Sequence, residues 1–232
     1  MFRVVVFDAY GTLFDVYSIG ALAERLYPGQ GSAIAALWRD KQIEYTRLVT
    51  MSDPVGARGS RHYQPFWDLT RLALRYTLAR LRLAPSVTHE DALMGQYAQL
   101  TPFPENLGVL RQLQLRGMAS AILSNGSPEM LTSAVASAGM VDLLDRLISV
   151  DEIRQFKTAP GSYALVLKYF PVQPSEVLFV SSNAWDALGA AWFGFRTLWI
   201  NRQDLPHEVL EPKPDFTGSS LERVLEVLQG PG

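Results

Sequence analysis

Val4-Val5-Val6-Phe7-Asp8-Ala9-Tyr10-Gly11-Thr12-Leu13-Phe14-Asp15 carries a short apolar run into a carboxylate near the start of the sequence. Its opening apolar run has no polar alternation and is short, the pattern of a strand covered on both faces of a parallel sheet. The same run is too short for a signal peptide and lacks that peptide's small-residue cleavage site. It ends on a carboxylate, and Gly11 and Thr12 follow in what reads as a tight loop.

Similar runs recur downstream. Ala119-Ser120-Ala121-Ile122-Leu123 leads into Ser124 and Asn125, and Val177-Leu178-Phe179-Val180 leads into Ser181, Ser182 and Asn183. Thr197-Leu198-Trp199-Ile200 ends at Asn201, and Arg146-Leu147-Ile148-Ser149-Val150 ends at Asp151. Helical stripes lie between them: Leu107, Leu110 and Leu113 before Gly117; Leu131, Val135 and Ala138 before Gly139; Tyr163, Val166, Leu167 and Phe170; and Leu221, Val224, Leu225 and Leu228. Alternation of strand and helix from about residue 98 predicts an α/β fold, a doubly wound parallel sheet.

Residues 16–97 differ. Ile34, Leu37, Trp38, Lys41, Tyr45 and Leu48 follow helical spacing, as does the stretch 66–83, and a Gly-, Ser- and Arg-containing loop at 52–60 separates them. Roughly 80 residues is too long for a plain connection. The expected organisation is a core domain from 1–15 and 98–232, with a helical cap domain, 16–97, inserted after the first strand; Pro102 and Pro104 mark the return to the core.

Composition narrows the function. The 232 residues, 48% of them hydrophobic, can bury a sizeable core. A net charge of -2 offers no basic footprint for nucleic acid. No stretch approaches the ~18 uncharged apolar residues of a membrane span. The absence of cysteine excludes disulfides, thiolate nucleophiles and zinc–cysteine sites, and is compatible with the cytoplasmic location expected here. His62, His89 and His207 have no metal-ligand spacing, and neither a Gly-x-Ser-x-Gly elbow, a P-loop nor a dinucleotide fingerprint is present.

Open α/β sheets bind ligands beyond the carboxyl ends of their strands. Asp8, Ser124, Asn125, Ser181, Ser182 and Asn183 all fall there. Any one Ser or Asn at such a position is ordinarily a turn or capping residue; their convergence on one edge argues for more.

The Asp8 motif resembles the first signature of the haloacid dehalogenase superfamily, whose Asp is a covalent nucleophile. Leu123-Ser124-Asn125-Gly126, Phe156-Lys157 and Val180-Ser181-Ser182-Asn183-Ala184-Trp185-Asp186-Ala187 follow in the expected order, so the resemblance spans nearly the whole chain. Superfamily phosphatases usually carry a second Asp two residues after the nucleophile, where this chain has Tyr10, and a Gly-Asp that holds magnesium, where it has Ser181-Ser182. Magnesium needs hard oxygen ligands, and only Asp8 and Asp186 remain as obvious carboxylates. These departures, with Trp38-Arg39-Asp40-Lys41-Gln42-Ile43-Glu44-Tyr45 and the Ser-Ser-Asn-Ala-Trp-Asp run, resemble the L-2-haloacid dehalogenase branch. Arg47 and Thr158 depart from that pattern, which more often has Trp and Pro near there.

The resemblance implies hydrolysis of small (S)-2-haloalkanoic acids to (R)-2-hydroxy acids with inversion, without metal or cofactor, by a homodimer whose ligands are the haloacid and the released halide. It implies Asp8 as nucleophile, Lys157 as its cationic partner and Asp186 as the group that positions or activates water. Arg39 is expected to meet the halide or the substrate carboxylate, and Ser124 and Asn125 to hold that carboxylate. Thr12, Ser181 and Asn183 are expected to orient Asp8 and the water, and Tyr163 to support Lys157 beside the substrate. Tyr10, Ile43, Phe66, Trp67 and Trp185 are candidates for an apolar wall around C2, although ordinary packing accounts equally well for Phe66 and Trp67. Arg58 and Arg61 read as solvated. The alternatives are a superfamily phosphatase acting on a small phosphate ester, and a catalytically silent binding protein on the same fold.

Overall fold

The computed structural model describes residues 1–53 and 59–230; Arg58 and most of the 52–60 loop lie outside the described residues. Six strands form one sheet: β1 (Val4–Phe7), β2 (Ala119–Ser124), β3 (Arg146–Ser149), β4 (Val177–Ser181), β5 (Arg196–Ile200) and β6 (Phe216–Gly218). Their order is β3-β2-β1-β4-β5-β6, and every pairing is parallel. The first strand is therefore central, with Val4 opposite Ala119 on one side and Val177 on the other. All four residues of β1 are fully buried, as a strand covered on both faces requires.

The five strands expected from apolar runs are present. The sixth, β6, has no such run: it is a three-residue edge strand, half-buried. On the core side, α5 (Asn106–Leu115), α6 (Pro128–Ser137), α7 (Pro160–Tyr169) and α9 (Arg223–Gln229) follow the stripes, while α8 (Ala184–Phe193) lies where no stripe was read. Three stripes overrun their helices: Ala138 is the C-cap of α6, Phe170 is that of α7, and Leu221 precedes α9.

Between β1 and β2 the chain forms α1 (Ile19–Leu26), α2 (Gly31–Ser52), α3 (Phe66–Arg80) and α4 (Val87–Tyr97). Helix α2 packs against α1 and α3, and α4 against α1 and α3. Ile34 and Trp38 of α2 are buried, whereas Leu48, placed on the same stripe by its spacing, is exposed; the C-terminal part of α2 turns Thr46 and Thr50 inward instead. The Arg61 side chain is exposed, as expected, and stands beside Asp53.

Space is tight where the backbone of α8 meets side chains of α7 and the segment before it. A Cβ built on Gly189 would stand 2.5 Å from the Tyr163 hydroxyl and 2.7 Å from Thr158 Cγ2. Only a residue without a side chain fits there. Gly189→Ala is expected to destabilise the fold by about 1–3 kcal/mol, the usual cost of overpacking, read as a shift in the denaturant midpoint at unchanged slope.

Candidate active site

The end of β1 delivers Asp8 to the carboxyl edge of the sheet, and the turn behind it is held by Gly11, whose φ of 99° suits glycine. Asp8 is 5% exposed, and both of its oxygens are occupied. Oδ1 accepts from Lys157 Nζ at 3.1 Å; Oδ2 accepts from Thr12 Oγ1 at 3.1 Å and from Asn183 Nδ2 at 2.8 Å. Thr12 can donate to Asp8 because its oxygen accepts from the Ser182 backbone N–H at 2.8 Å. Asn183 is the N-cap of α8, yet its side chain makes no capping bond. It serves Asp8 instead, which sets aside the ordinary capping reading at this position.

Lys157 is buried, and its Nζ also donates to Asp186 Oδ2 at 2.9 Å. One ammonium thus bridges two carboxylates, with the Phe179 ring 5.0 Å from the nitrogen. Burial pulls the Lys157 pKa down, but the charges of Asp186 and Asp8 outweigh it and hold the pKa above its ordinary value. Asp186 is fully buried, and burial raises its pKa to about 6; Lys157 opposes the rise and Asp8 adds to it. Asp186 Oδ1 accepts from the Tyr163 hydroxyl at 2.8 Å, and Oδ2 from Ser181 Oγ at 3.2 Å.

From the helical side, Arg39 reaches over the loop. Its Nη2 donates to the Tyr10 carbonyl at 3.0 Å and to Asn183 Oδ1 at 3.2 Å, and its Nη1 to Gln42 Oε1 at 2.7 Å. A cavity of about 490 Å³ opens here, with Gly11, Arg39, Ile43, Ser182, Asn183 and Trp185 among its walls. Tyr10 stacks on Tyr97 with ring centroids 5.6 Å apart and lies 5.8 Å from Phe66. The site therefore combines an ionic cluster, a guanidinium at its mouth and an aromatic flank. Among the described residues no group of three His, Asp or Glu side chains could hold a metal ion.

A family model of the haloacid dehalogenase-like hydrolases matches residues 2–194. The chain belongs to this family. It is 41% identical over 225 residues to an (S)-2-haloacid dehalogenase of Pseudomonas sp. (strain YL), covering 97% of this chain and 94% of that one. A solved structure of an L-2-haloacid dehalogenase superposes with a TM-score of 0.95 at 52% identity, covering 99% of both chains. Another, from Xanthobacter autotrophicus with chloropropionic acid covalently bound, gives a TM-score of 0.88 at 39% identity and covers both chains completely.

The structure of this family member brings together Asp8, Thr12, Arg39, Lys157, Ser181, Asn183 and Asp186. Tyr163 departs from its expected place. Its hydroxyl donates to Asp186 rather than to Lys157, and its ring is fully buried among Phe179, Phe193 and Phe195, so it stands behind the carboxylate and not beside a substrate. Ser181 likewise bonds Asp186 and not Asp8. Asn125 Oδ1 accepts from the Lys157 backbone N–H at 3.0 Å, and Ser124 Oγ accepts from the Gly126 N–H at 3.0 Å.

The expected apolar wall divides in two. Tyr10 and Phe66 pack together in the interior, while Ile43 and Trp185 line the outer cavity, where the Arg47 guanidinium sits 5.2 Å from the Trp185 ring. Trp67 is half-buried packing. The polar trio Gln42, Thr70 and Tyr97 escapes the sequence reading; its one signal is polar side chains on helix faces that turn inward.

A carboxyl held near 6 takes up a proton as pH falls through that value, so its ionised form, the one able to accept a proton from water, is lost below it. Turnover is expected to decline below about pH 6 through Asp186. In Tyr163→Phe the limb should move to higher pH, since the lost hydroxyl favours the ionised form. The pH–kcat profile of both proteins checks this.

Proposed function

We propose that this chain is an (S)-2-haloacid dehalogenase that converts small (S)-2-haloalkanoic acids into (R)-2-hydroxy acids through an ester on Asp8. The observation that carries the reading is the Lys157 ammonium lying between Asp8 and Asp186. It sets a cation against Asp8 where a metal-dependent phosphatase needs hard oxygen ligands; the pair expected to hold magnesium reads Ser181-Ser182, and the acid–base position two residues after Asp8 is Tyr10.

In this reaction an Asp8 oxygen attacks C2 from the face opposite the halogen, and halide departs with the bonding electrons. Arg39 receives the developing anion or the substrate carboxylate. Water then attacks the Asp8 carbonyl carbon, giving its proton to Asp186. The ester C–O bond breaks, the 2-hydroxy acid leaves with that proton, the second proton of the water passes to solvent, and Asp8 is restored as a carboxylate with one oxygen from water. A carboxylate suits both halves, being ionised near neutral pH and a fair leaving group in the second. Ser124 and Asn125 bind the substrate carboxylate. Residues 16–97 act as the cap that brings Arg39 to the core, and the enzyme works in the cytoplasm as a homodimer. The covalently bound chloropropionic acid in the Xanthobacter autotrophicus relative supports the ester route.

The phosphatase reading is not favoured, since haloacid dehalogenases by name match this chain over nearly its whole length. The silent-scaffold reading has no observation in its favour.

Halide release from L- and D-2-chloropropionate in the presence of EDTA tests the assignment: the L form alone should react and yield D-lactate. Chloride release that requires magnesium, or none from either enantiomer, would overturn it. After one turnover in heavy-oxygen water, mass spectrometry should find the label on the Asp8 side chain.

A further inference from the structure

Gln42 is fully buried in α2, three residues from Arg39, and both ends of its amide are engaged. Oε1 accepts from Arg39 Nη1 at 2.7 Å and from the Tyr97 hydroxyl at 3.1 Å, while Nε2 donates to Thr70 Oγ1 at 2.6 Å and faces the Tyr97 oxygen at 3.0 Å. An amide carbonyl and an amide NH2 have nearly the same shape, so side-chain packing alone does not decide which end faces Arg39. The hydroxyl of Thr70 decides it. Thr70 Oγ1 donates its only proton to the Phe66 carbonyl one helical turn back, at 2.7 Å. Toward Gln42 it can only accept, so the NH2 of Gln42 must point at Thr70 and the carbonyl at the guanidinium.

We infer that Thr70, through Gln42, is a positioning residue for Arg39 and thereby sets how well the enzyme handles poor leaving groups. The inference rests on the proposed dehalogenase reaction. Nη2 of Arg39 is fixed by Tyr10 on the nucleophile loop and by Asn183 at the start of α8, and its Nη1 is fixed by Gln42. With the amide free to turn, its NH2 would face the guanidinium donors, and the fork would lose its acceptor and its aim. Tyr97 completes the circuit, since its ring stacks on Tyr10, whose carbonyl Arg39 also holds. The most basic departing halide depends most on a fixed cation, so a loosened Arg39 affects chloride more than iodide.

The test compares kcat for 2-chloro-, 2-bromo- and 2-iodopropionate in wild type, Thr70→Val, Thr70→Ser and Arg39→Lys. Valine keeps the shape of threonine and removes the hydroxyl; serine keeps the hydroxyl and removes the methyl. Thr70→Val should slow the chloride reaction about threefold to tenfold relative to the iodide one, the worth of a single hydrogen bond. Thr70→Ser should restore the wild-type spread. A role in packing alone would reverse that order or slow all three halides equally, and either result overturns the inference. Should Thr70→Val not fold, Tyr97→Phe, which removes the other hydroxyl on Gln42, carries the same comparison. Arg39→Lys separates the two levels: if it leaves the halide spread unchanged, the proposed role of Arg39 fails; if it widens the spread while Thr70→Val does not, only the role of Thr70 fails.

Discussion

The Lys157 ammonium is held between the carboxylates of Asp8 and Asp186, and three distant pieces of chain converge to make that contact. Taking an ammonium out of water costs several kcal/mol, and each buried carboxylate costs as much again. The cluster persists because the three charges lie within hydrogen-bond reach and nearly every remaining lone pair is used, by Thr12, Asn183, Ser181 and Tyr163. The raised pKa of Lys157 shows which effect wins: attraction to two carboxylates exceeds the burial that opposes it. Three separate pieces of chain must therefore meet at one point. These are the end of β1, the segment before α7 and the first turn of α8, and the parallel sheet order places all three on the same edge.

The segment that carries Lys157 is secured from both sides. Asn125 Oδ1, just past β2, takes the Lys157 backbone N–H, while Thr50 Oγ1 of α2 takes that of Phe156 at 2.9 Å. Farther out, the Ser60 N–H donates to the Arg154 carbonyl at 3.1 Å. The helices between β1 and β2 thus do more than carry Arg39: they also brace the backbone next to the lysine. Helix and sheet are coupled at the place where the chemistry is proposed, and a shift of α2 would disturb Arg39 and the Lys157 segment together.

What the sequence disclosed follows from how each feature is encoded. Strands β1, β2, β4 and β5 were legible because burial on both faces demands apolar runs; β6 was not, because a half-buried edge strand makes no such demand. Helices α5, α6, α7 and α9 were legible from stripes, but their ends were not, since residues such as Phe170 and Leu221 pack in the core outside the helix. In the site, Asp8, Lys157 and Asp186 could be named because the motifs around them are dense. The partners of Tyr163 and Ser181 could not, because a hydroxyl near two carboxylates can serve either, and only distance decides. Gln42, Thr70 and Tyr97 were hidden for another reason. A threonine or glutamine in an amphipathic helix reads as its wet face, and only the assembled bundle reveals that three such faces meet in the interior.

Charge balance gives the proposed substrate a further physical basis. With Asp8 and Asp186 ionised and Lys157 and Arg39 protonated, the four formal charges cancel, and all four residues are 9% exposed or less. A haloacid brings one negative charge into this enclosure, and the guanidinium at its mouth can meet it. A phosphate monoester near neutral pH brings close to two, and the chemistry of its transfer relies on cations gathered around the phosphoryl oxygens. Here the ammonium that could have served that purpose is already committed to two carboxylates. Displacement at carbon makes a smaller electrostatic demand: it moves one negative charge from the Asp8 oxygen to the departing halide, away from Asp186 and toward Arg39. The same arrangement that makes phosphoryl transfer costly therefore favours that movement of charge.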